Sequence, residues 1–280
     1  MLESLSNQLR AAKMGKYAVG LFNVVTPQML HGVLKAAEQT NSPLIIGCAE
    51  VMTKFISLEE LSALALPCIH KTHIPVTLHF DHAHTPALIE RAIELGFNSV
   101  MYDCSEMPFE QNCESLKRMA AYAHQKGACI EAELGSVAGI EGEESSQEEC
   151  LGIFTPPDKA RQYVEITGVD ALAVSIGNAH GAYKGKPKLR FDILAKIAQQ
   201  IDTPLVLHGG SGIPEADFRR AITMGITKVN IFTDINIAAA KAAYQAYYDG
   251  CGYTKLLPSI EQAVYEVAKE RMLFFKNEEV

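Results

Sequence analysis

No basic run in this chain is longer than a pair of residues, and the formal net charge is −8. An acidic surface without a basic stripe repels phosphate backbones and anionic lipid headgroups, so nucleic acid and membrane are poor partners. No apolar run approaches the ~18 residues that a bilayer span requires. The opening residues, "MLESLSNQLRAAK", lack the apolar core of a signal peptide. Leu2, Leu5, Leu9 and Ala12 instead lie on one helical face. None of the seven cysteines (48, 68, 104, 113, 129, 150 and 251) forms a C-x-x-C pair. An odd, scattered set in a chain without a leader reads as reduced thiols in a cytoplasmic protein, serving as packing residues. Linkers and low-complexity tracts are also missing. The 280 residues, 48% of them hydrophobic, therefore suit one large domain over 1–280.

What is present is an alternation. Eight short apolar runs read as buried strands: 17–24, 43–50, 75–81, 99–104, 129–134, 171–176, 204–209 and 228–232. Amphipathic segments fill the gaps. "TPQMLHGVLKAAEQT" opens with Thr26 as a cap and Pro27 at the first helical position. "SLEELSALALPCIHK" carries Ser57 and Glu60 as a capping box. "TPALIERAIELG" repeats the Thr-Pro start, and "PPDKARQYVEITG" and "PEADFRRAITMG" each stop at glycine. Continuously apolar strands separated by helices imply a parallel sheet covered on both faces. Eight units favour a closed (β/α)8 TIM barrel of the α/β class with extra N-terminal and C-terminal helices. The one long irregular stretch, 135–155, follows the fifth strand, and loops of that length are usually functional or disordered.

Barrel chemistry sits at the C-terminal ends of the strands, so the residues there form a test. The third strand runs into "HFDHAH" (79–84), ending in Asp81 and His82; the fourth ends in Asp103. The fifth carries Glu131 and Glu133, the sixth is followed by His180, and the seventh leads into "HGGSG" (208–212). Strict alternation puts His79 and Asp81 on one side, with His79 deeper as a packed barrel residue. His82 is the first residue past the strand, and His84 opens the following helix region as a surface residue or one standing behind the ligands. Three histidines from three strand ends, His82, His180 and His208, suit a zinc ion with one coordination position left open; the plainer alternative is that each merely ends its strand. The glycines before the helix at 214–225 offer backbone N–H groups to an anion, beside Asn230 and Thr233. The stretch "KGKPK" (184–188) reads as a solvated loop, from which Lys184 could still reach a phosphate.

These motifs resemble the class II, zinc-dependent ketose-bisphosphate aldolases, the group of fructose- and tagatose-bisphosphate aldolases. The likeness runs through "FNV" (22–24), "FDH" (80–82), "EAELGSVAGIEG" (131–142), "AVSIGNAHGAYK" (173–184), "PLVLHGGSG" (204–212) and "KVNIFTD" (228–234). The resemblance implies zinc on His82, His180 and His208. It implies that Asp81 moves a proton at the C4 oxygen and that Glu141 takes the C3 proton of dihydroxyacetone phosphate. Asn23, Gly181, Lys184, Gly209, Gly210, Ser211, Asn230 and Thr233 would bind the phosphorylated sugar, with a monovalent cation (Na⁺ or K⁺) beside its phosphate. Asp103 and Glu133 would be polar neighbours of the metal. The family is built of dimers and tetramers, and 258–276 is a segment available for such an interface. A metal route also fits the absence of a strand-end lysine placed for imine chemistry.

The chain departs from the family pattern at Ala138-Gly139, where a double glycine is usual. It departs again at Phe232, where fructose-bisphosphate members carry a hydroxyl-reading aspartate. Asn236 and Tyr253 stand where arginines for a distal phosphate are expected. The expected reaction is therefore aldol cleavage to dihydroxyacetone phosphate and an aldehyde lacking phosphate. The alternatives are a true fructose- or tagatose-1,6-bisphosphate aldolase, a metal-dependent hydrolase using His82 and His84 as an H-x-H pair, and a non-catalytic aldolase-like subunit.

Overall fold

The computed structural model describes residues 1–139, 153–181 and 187–276. Its strands are β1 (Val19–Asn23), β2 (Leu44–Ala49), β3 (Val76–Ala83), β4 (Ser99–Tyr102), β5 (Cys129–Leu134), β6 (Ala171–Val174), β7 (Leu205–Leu207) and β8 (Ile226–Ile231). They pair in parallel in chain order, and β1 pairs with β8 to close a barrel. The helices are α1 (Leu5–Gly15), α2 (Pro27–Thr40), α3 (Leu58–Lys71), α4 (Pro86–Glu94), α5 (Phe109–Gln125), α6 (Pro157–Thr167), α7 (Phe191–Ala198), α8 (Glu215–Thr223), α9 (Thr233–Tyr248) and α10 (Tyr253–Phe275). The expected (β/α)8 barrel is thus the observed fold. No helix among the described residues is long and apolar enough to cross a membrane.

Each strand feeds two cores because successive side chains face opposite sides. Phe22, Ile46, Phe80, Val100 and Ile130 face outward into the layer between strands and helices. Leu21, Ile45, Ala171, Ala173 and Val206 face inward, where Leu5, Leu9 and Ala12 of α1 close the N-terminal end of the barrel. Ser4 caps α1 by accepting from the Asn7 N–H. Leu2, expected on the face of this helix, lies outside it in a bridge to Val76; the Met1 amine there donates to three carbonyls, those of Ile69, Thr72 and Ile74.

The capping expectations fare differently at their several sites. Thr26 accepts from Met29, and the Ser57–Glu60 capping box is complete. Thr85 does not cap α4: its hydroxyl donates to Glu50 at 2.6 Å instead. The carboxylate of Glu50 also accepts the His84 and Thr85 N–H groups, so a stronger, charged acceptor has displaced the cap.

At the C-terminus, α10 buries Val264, Tyr265, Ala268, Met272 and Phe275 within the chain. It lies so close to α2 that a Cβ on Gly32 would stand 2.8 Å from the Glu261 carbonyl oxygen. Residues 258–276 therefore spend most of their apolar surface inside the fold. Four exposed tyrosines cluster instead on α9 and the start of α10, at Tyr244, Tyr247, Tyr248 and Tyr253, and Phe55 is exposed elsewhere. Among the described residues every cysteine is free; four of these six are buried, and Cys68 and Cys251 are partly exposed.

Candidate active site

The sequence places Asp81 and His82 next to each other, and strict alternation would send them to opposite faces. The structure resolves this conflict with a bulge. β3 continues through His82 to Ala83, its register against β4 shifts between Phe80 and Ala83, and His82 takes φ 42°. His82 is thus inside the strand, not beyond it. A left-handed residue in a bulge bends the strand and re-aims its side chain, at a cost on the order of 1–3 kcal/mol. In exchange, Asp81 and His82 both reach the mouth of the barrel.

There His82 meets His180, just past β6, and His208, just past β7. One nitrogen of each ring lies within 4.8 Å of the others. The ring centroids of His82 stand 4.7 Å from His180 and 4.4 Å from His208. The outer nitrogens of two rings are held by carboxylates: His82 Nδ1 by Asp103 at 3.0 Å, and His208 Nε2 by Glu131 at 2.8 Å. A carboxylate accepts, so each outer nitrogen carries the hydrogen, as is common for metal-binding histidines. The inner nitrogens, His82 Nε2 and His208 Nδ1, then face each other at 2.6 Å. Two lone pairs that close require a cation between them. In this arrangement a proton meets that need: burial opposes it, but Asp81 and Asp103 outweigh burial and push His82 up to about 10. Burial and the neighbouring His82 charge push His208 down to about 4. The donor set fits a divalent ion that takes neutral imidazoles.

The carboxylates around the histidines occupy distinct environments. Asp81 is fully buried. Burial works to raise its pKa, but the His82 charge, the His79 contact and Lys228 hold it well below the usual range. It accepts from Asn23 Nδ2 at 2.9 Å and from Asn230 Nδ2 at 3.1 Å, so both asparagines fix its plane. Glu133 is pushed up to about 8, by burial and then by Asp103. One of its oxygens accepts from the Val137 N–H, while the other is buried without a hydrogen-bond partner among the described residues. His82, Asp103 and Glu133 form a second group close enough to share an ion.

The turn after β7 has the shape an anion needs. Gly209 sits at φ 61°, and a Cβ there would collide with the Ala179 carbonyl. Gly210 donates its N–H to the Asn230 carbonyl at 3.0 Å, tying this turn to β8. Ser211, Asn230 and Thr233 are all buried, and Thr233 opens α9. Ser211 Oγ accepts from the Asp234 N–H. Glycine backbone and a helix N-terminus therefore meet beside the histidines. Gly181 is buried at the edge of the described residues, at φ 82°. Glu141 and Lys184 lie outside the described residues.

The family model for class-II fructose-bisphosphate aldolase matches residues 3–279. The chain belongs to that family. This aldolase is accordingly a metal-dependent aldehyde-lyase. It is 39% identical over 245 residues to the fructose-bisphosphate aldolase of Staphylococcus aureus, 86% of this chain and 84% of that one. It is 38% identical over 264 residues to the uncharacterized protein YdjI of Escherichia coli K12, covering 94% and 93% of the two chains. The crystal structure of the YdjI aldolase from that organism matches with a TM-score of 0.89 and 35% identity, over 98% of this chain and 97% of that one.

Other residues of this aldolase depart from, or add to, the sequence expectations. His84 stays outside every candidate ligand group among the described residues and contacts the Asp103 carbonyl at 3.1 Å, so no H-x-H ligand pair forms with His82. His79 is the packed barrel histidine, 2.7 Å from Ser99 Oγ. Phe232 is nearly buried and joins the outer core, and Tyr253 is exposed. Lys228 was legible only as the first letter of an apolar run, yet it is fully buried and pairs with Glu131. Its signal is the lysine itself: a charge at the head of a strand buried on both faces needs a partner. Beside the histidines opens a cleft of 550 Å³, whose described lining includes Glu50, Thr53, His84, Ser105 and Glu106 and no lysine or arginine.

Proposed function

We propose that this aldolase binds zinc through His82, His180 and His208 and reversibly cleaves a ketose phosphate to dihydroxyacetone phosphate and an unphosphorylated aldehyde. The observation that carries the metal reading is the 2.6 Å approach of two inner imidazole nitrogens whose outer nitrogens rest on carboxylates. Bound there, zinc supplies Lewis-acid stabilisation of the negative charge that aldol cleavage leaves on oxygen, worth several kcal/mol.

The protein's own groups do the rest. Asp81, held anionic between Asn23 and Asn230, takes the proton from the C4 hydroxyl in cleavage and returns it in condensation. Glu141 removes the C3 proton of dihydroxyacetone phosphate, since a proton must move at each of the two carbons. Gly181, Gly209, Gly210, Ser211, Asn230 and Thr233 line the phosphate site, with Lys184 as a cation from the loop and Na⁺ or K⁺ beside it. Asp103 orients His82, and Glu133 lies within reach of the same ion.

The charge of the cleft supports the aldehyde assignment. A distal phosphate calls for fixed cations, whereas the described lining carries Glu50 and Glu106 and neither lysine nor arginine. A glyceraldehyde or lactaldehyde suits these walls better than glyceraldehyde 3-phosphate. The second reading, a fructose- or tagatose-1,6-bisphosphate aldolase, is favoured by the name of the Staphylococcus aureus relative. We place the enzyme in the cytoplasm as one domain over 1–280, in a homodimer or homotetramer. The exposed tyrosines of α9 are suited to the subunit contact.

The test is condensation of dihydroxyacetone phosphate with a panel of aldehydes, ranked by kcat/KM, with and without a chelator. Unphosphorylated aldehydes should rank first, and chelation should abolish every reaction. A tenfold or greater preference for glyceraldehyde 3-phosphate would install the second reading. No turnover with any aldehyde under full metal loading would indicate a non-catalytic subunit.

A further inference from the structure

Below the three histidines lies an ion pair that the chemistry above does not use. Lys228, on β8, and Glu131, on β5, are both fully buried inside the barrel. Lys228 Nζ donates to both Glu131 oxygens, at 2.9 and 2.7 Å. One of those oxygens, Oε1, also lies 2.8 Å from His208 Nε2. Three hydrogen bonds therefore converge on one carboxylate, and they form a line from the barrel interior to an imidazole at its rim. A buried pair of this kind is weak evidence for stability, because the desolvation of two ions offsets their attraction. Its position suggests a different use.

We propose that Lys228 is a positioning residue for the metal centre: acting through Glu131, it fixes the His208 ring so that Nδ1 is presented to the ion. The inference rests on the zinc reading given above and deepens it. The physical argument is chiefly one of charge, because a buried carboxylate keeps its place beside His208 only with a countercharge, and the same contacts also limit its rotation. Glu131 has rotatable bonds and, with His208 alone, only one hydrogen bond to set its plane. The two contacts from Lys228 hold both oxygens and leave one lone pair of Oε1 aimed at Nε2–H. With Nε2 pinned, the ring cannot rotate, and Nδ1 faces His82 Nε2. Lys228 also supplies the countercharge that lets a buried carboxylate stand beside a neutral ring. Groups that hold a metal-bound histidine from behind act on affinity and geometry, not on the bond-making step. Lys228 touches neither a ligand nitrogen nor the cleft, so its effect must pass through Glu131.

That route predicts a specific rescue. Lys228→Met leaves Glu131 buried with no countercharge and one anchor fewer. Lys228→Met combined with Glu131→Gln removes both charges, yet the amide oxygen can still accept from His208 Nε2–H. The experiment uses the full-length enzyme and measures zinc affinity by competition with a chromophoric chelator, together with the visible absorption of the Co²⁺ form. Lys228→Met should weaken zinc binding by ~10–100-fold, the usual scale for groups behind a metal ligand, and should shift the Co²⁺ bands. The double variant should recover most of that affinity and a native-like spectrum. Thermal unfolding of the metal-free proteins separates a general loss of packing from a loss at the site. If Lys228→Met does not accumulate folded, the double variant decides alone: native-like zinc affinity supports the route through Glu131, and a hundredfold loss overturns it. Native affinity in a folded Lys228→Met variant overturns it as well. If the native enzyme fails to bind zinc, or binds it undiminished after His208→Ala, it is the metal reading that has failed, not the role of Lys228.

Discussion

The two ends of this barrel are built from the same eight strands and contain opposite chemistry. At the N-terminal end, α1 presses Leu5, Leu9 and Ala12 onto Leu21, Ile45 and Val206. At the C-terminal end, equally buried positions hold His79, Asp81, Glu131, Lys228, Asn230 and His208. Burial is complete at both ends, so burial alone does not distinguish stabilising residues from functional ones. The difference lies in how each end satisfies its atoms. The apolar end needs only close packing. The polar end needs every donor and acceptor matched, and among the described residues several are not: Asn23 Oδ1, Asn230 Oδ1 and Glu133 Oε2 have no hydrogen-bond partner. Leaving such atoms unpaired costs ~1–3 kcal/mol each. That cost is tolerable where a ligand completes the set; at the N-terminal end, among the described residues, only Gln8 Oε1 and Thr72 Oγ1 are buried in the same condition.

Substitutions should split cleanly along this division. The largest effect belongs to the rim histidines. Alanine at His82, His180 or His208 should remove bound zinc, and kcat/KM should fall by about three orders of magnitude or more, the rate equivalent of several kcal/mol. Metal analysis and aldol kinetics on the same samples check this; a fully active, metal-loaded His180→Ala enzyme would disprove it. Chelation of the native enzyme should have the same effect and be reversed by zinc.

Next is the opposite end. Leu9→Ala leaves a cavity beneath the strands and should cost about 2–5 kcal/mol of stability, as buried leucines do. Urea unfolding would report that loss, while zinc affinity and kcat of the folded enzyme should stay native. A drop in kcat at full folding would show that the two ends are mechanically coupled. Glu141→Gln is expected to slow exchange of the C3 proton of dihydroxyacetone phosphate by ~10²-fold with its binding intact. Exchange at the native rate would pass the role of base to Glu143 or Glu144. The smallest effect tests whether everything at the C-terminal end is functional. Ser57 caps α3 in the outer ring, so Ser57→Ala should cost about 1 kcal/mol of stability and nothing in kcat/KM.

Much of this was legible without coordinates, for reasons that can be named. The strand at 129–134 is observed with the bounds read from its apolar run, and the strand at 43–50 is shortened by one residue at each end. Helix α2 begins at the proline that its Thr-Pro sequence announced. These are local signals, set by hydrophobic period and capping chemistry within a few residues. Local signals failed where a distant group competed for the same atoms. Thr85 reads as a cap, but Glu50 is 35 residues away and captures its hydroxyl. The aromatic face of α9 was also missed, because its tyrosines follow a run of alanines in a helix whose only other apolar residues are Ile235 and Ile237.

From the sequence alone came the period of the barrel, the residue types at its rim and the glycines beside them, because each is written within one strand–helix unit. The tertiary structure decided which of those residues meet. It turned His82 into the mouth with a bulge, although strict alternation pointed it away. It left His84 outside the histidine group and buried Phe232 in the outer core. It also joined Lys228 to Glu131 across 97 positions of chain. Spacing along the chain fixes which face a side chain takes within its own element. Only closure of the barrel sets the distance between side chains from different strands, and at this site those distances are what make three histidines one group.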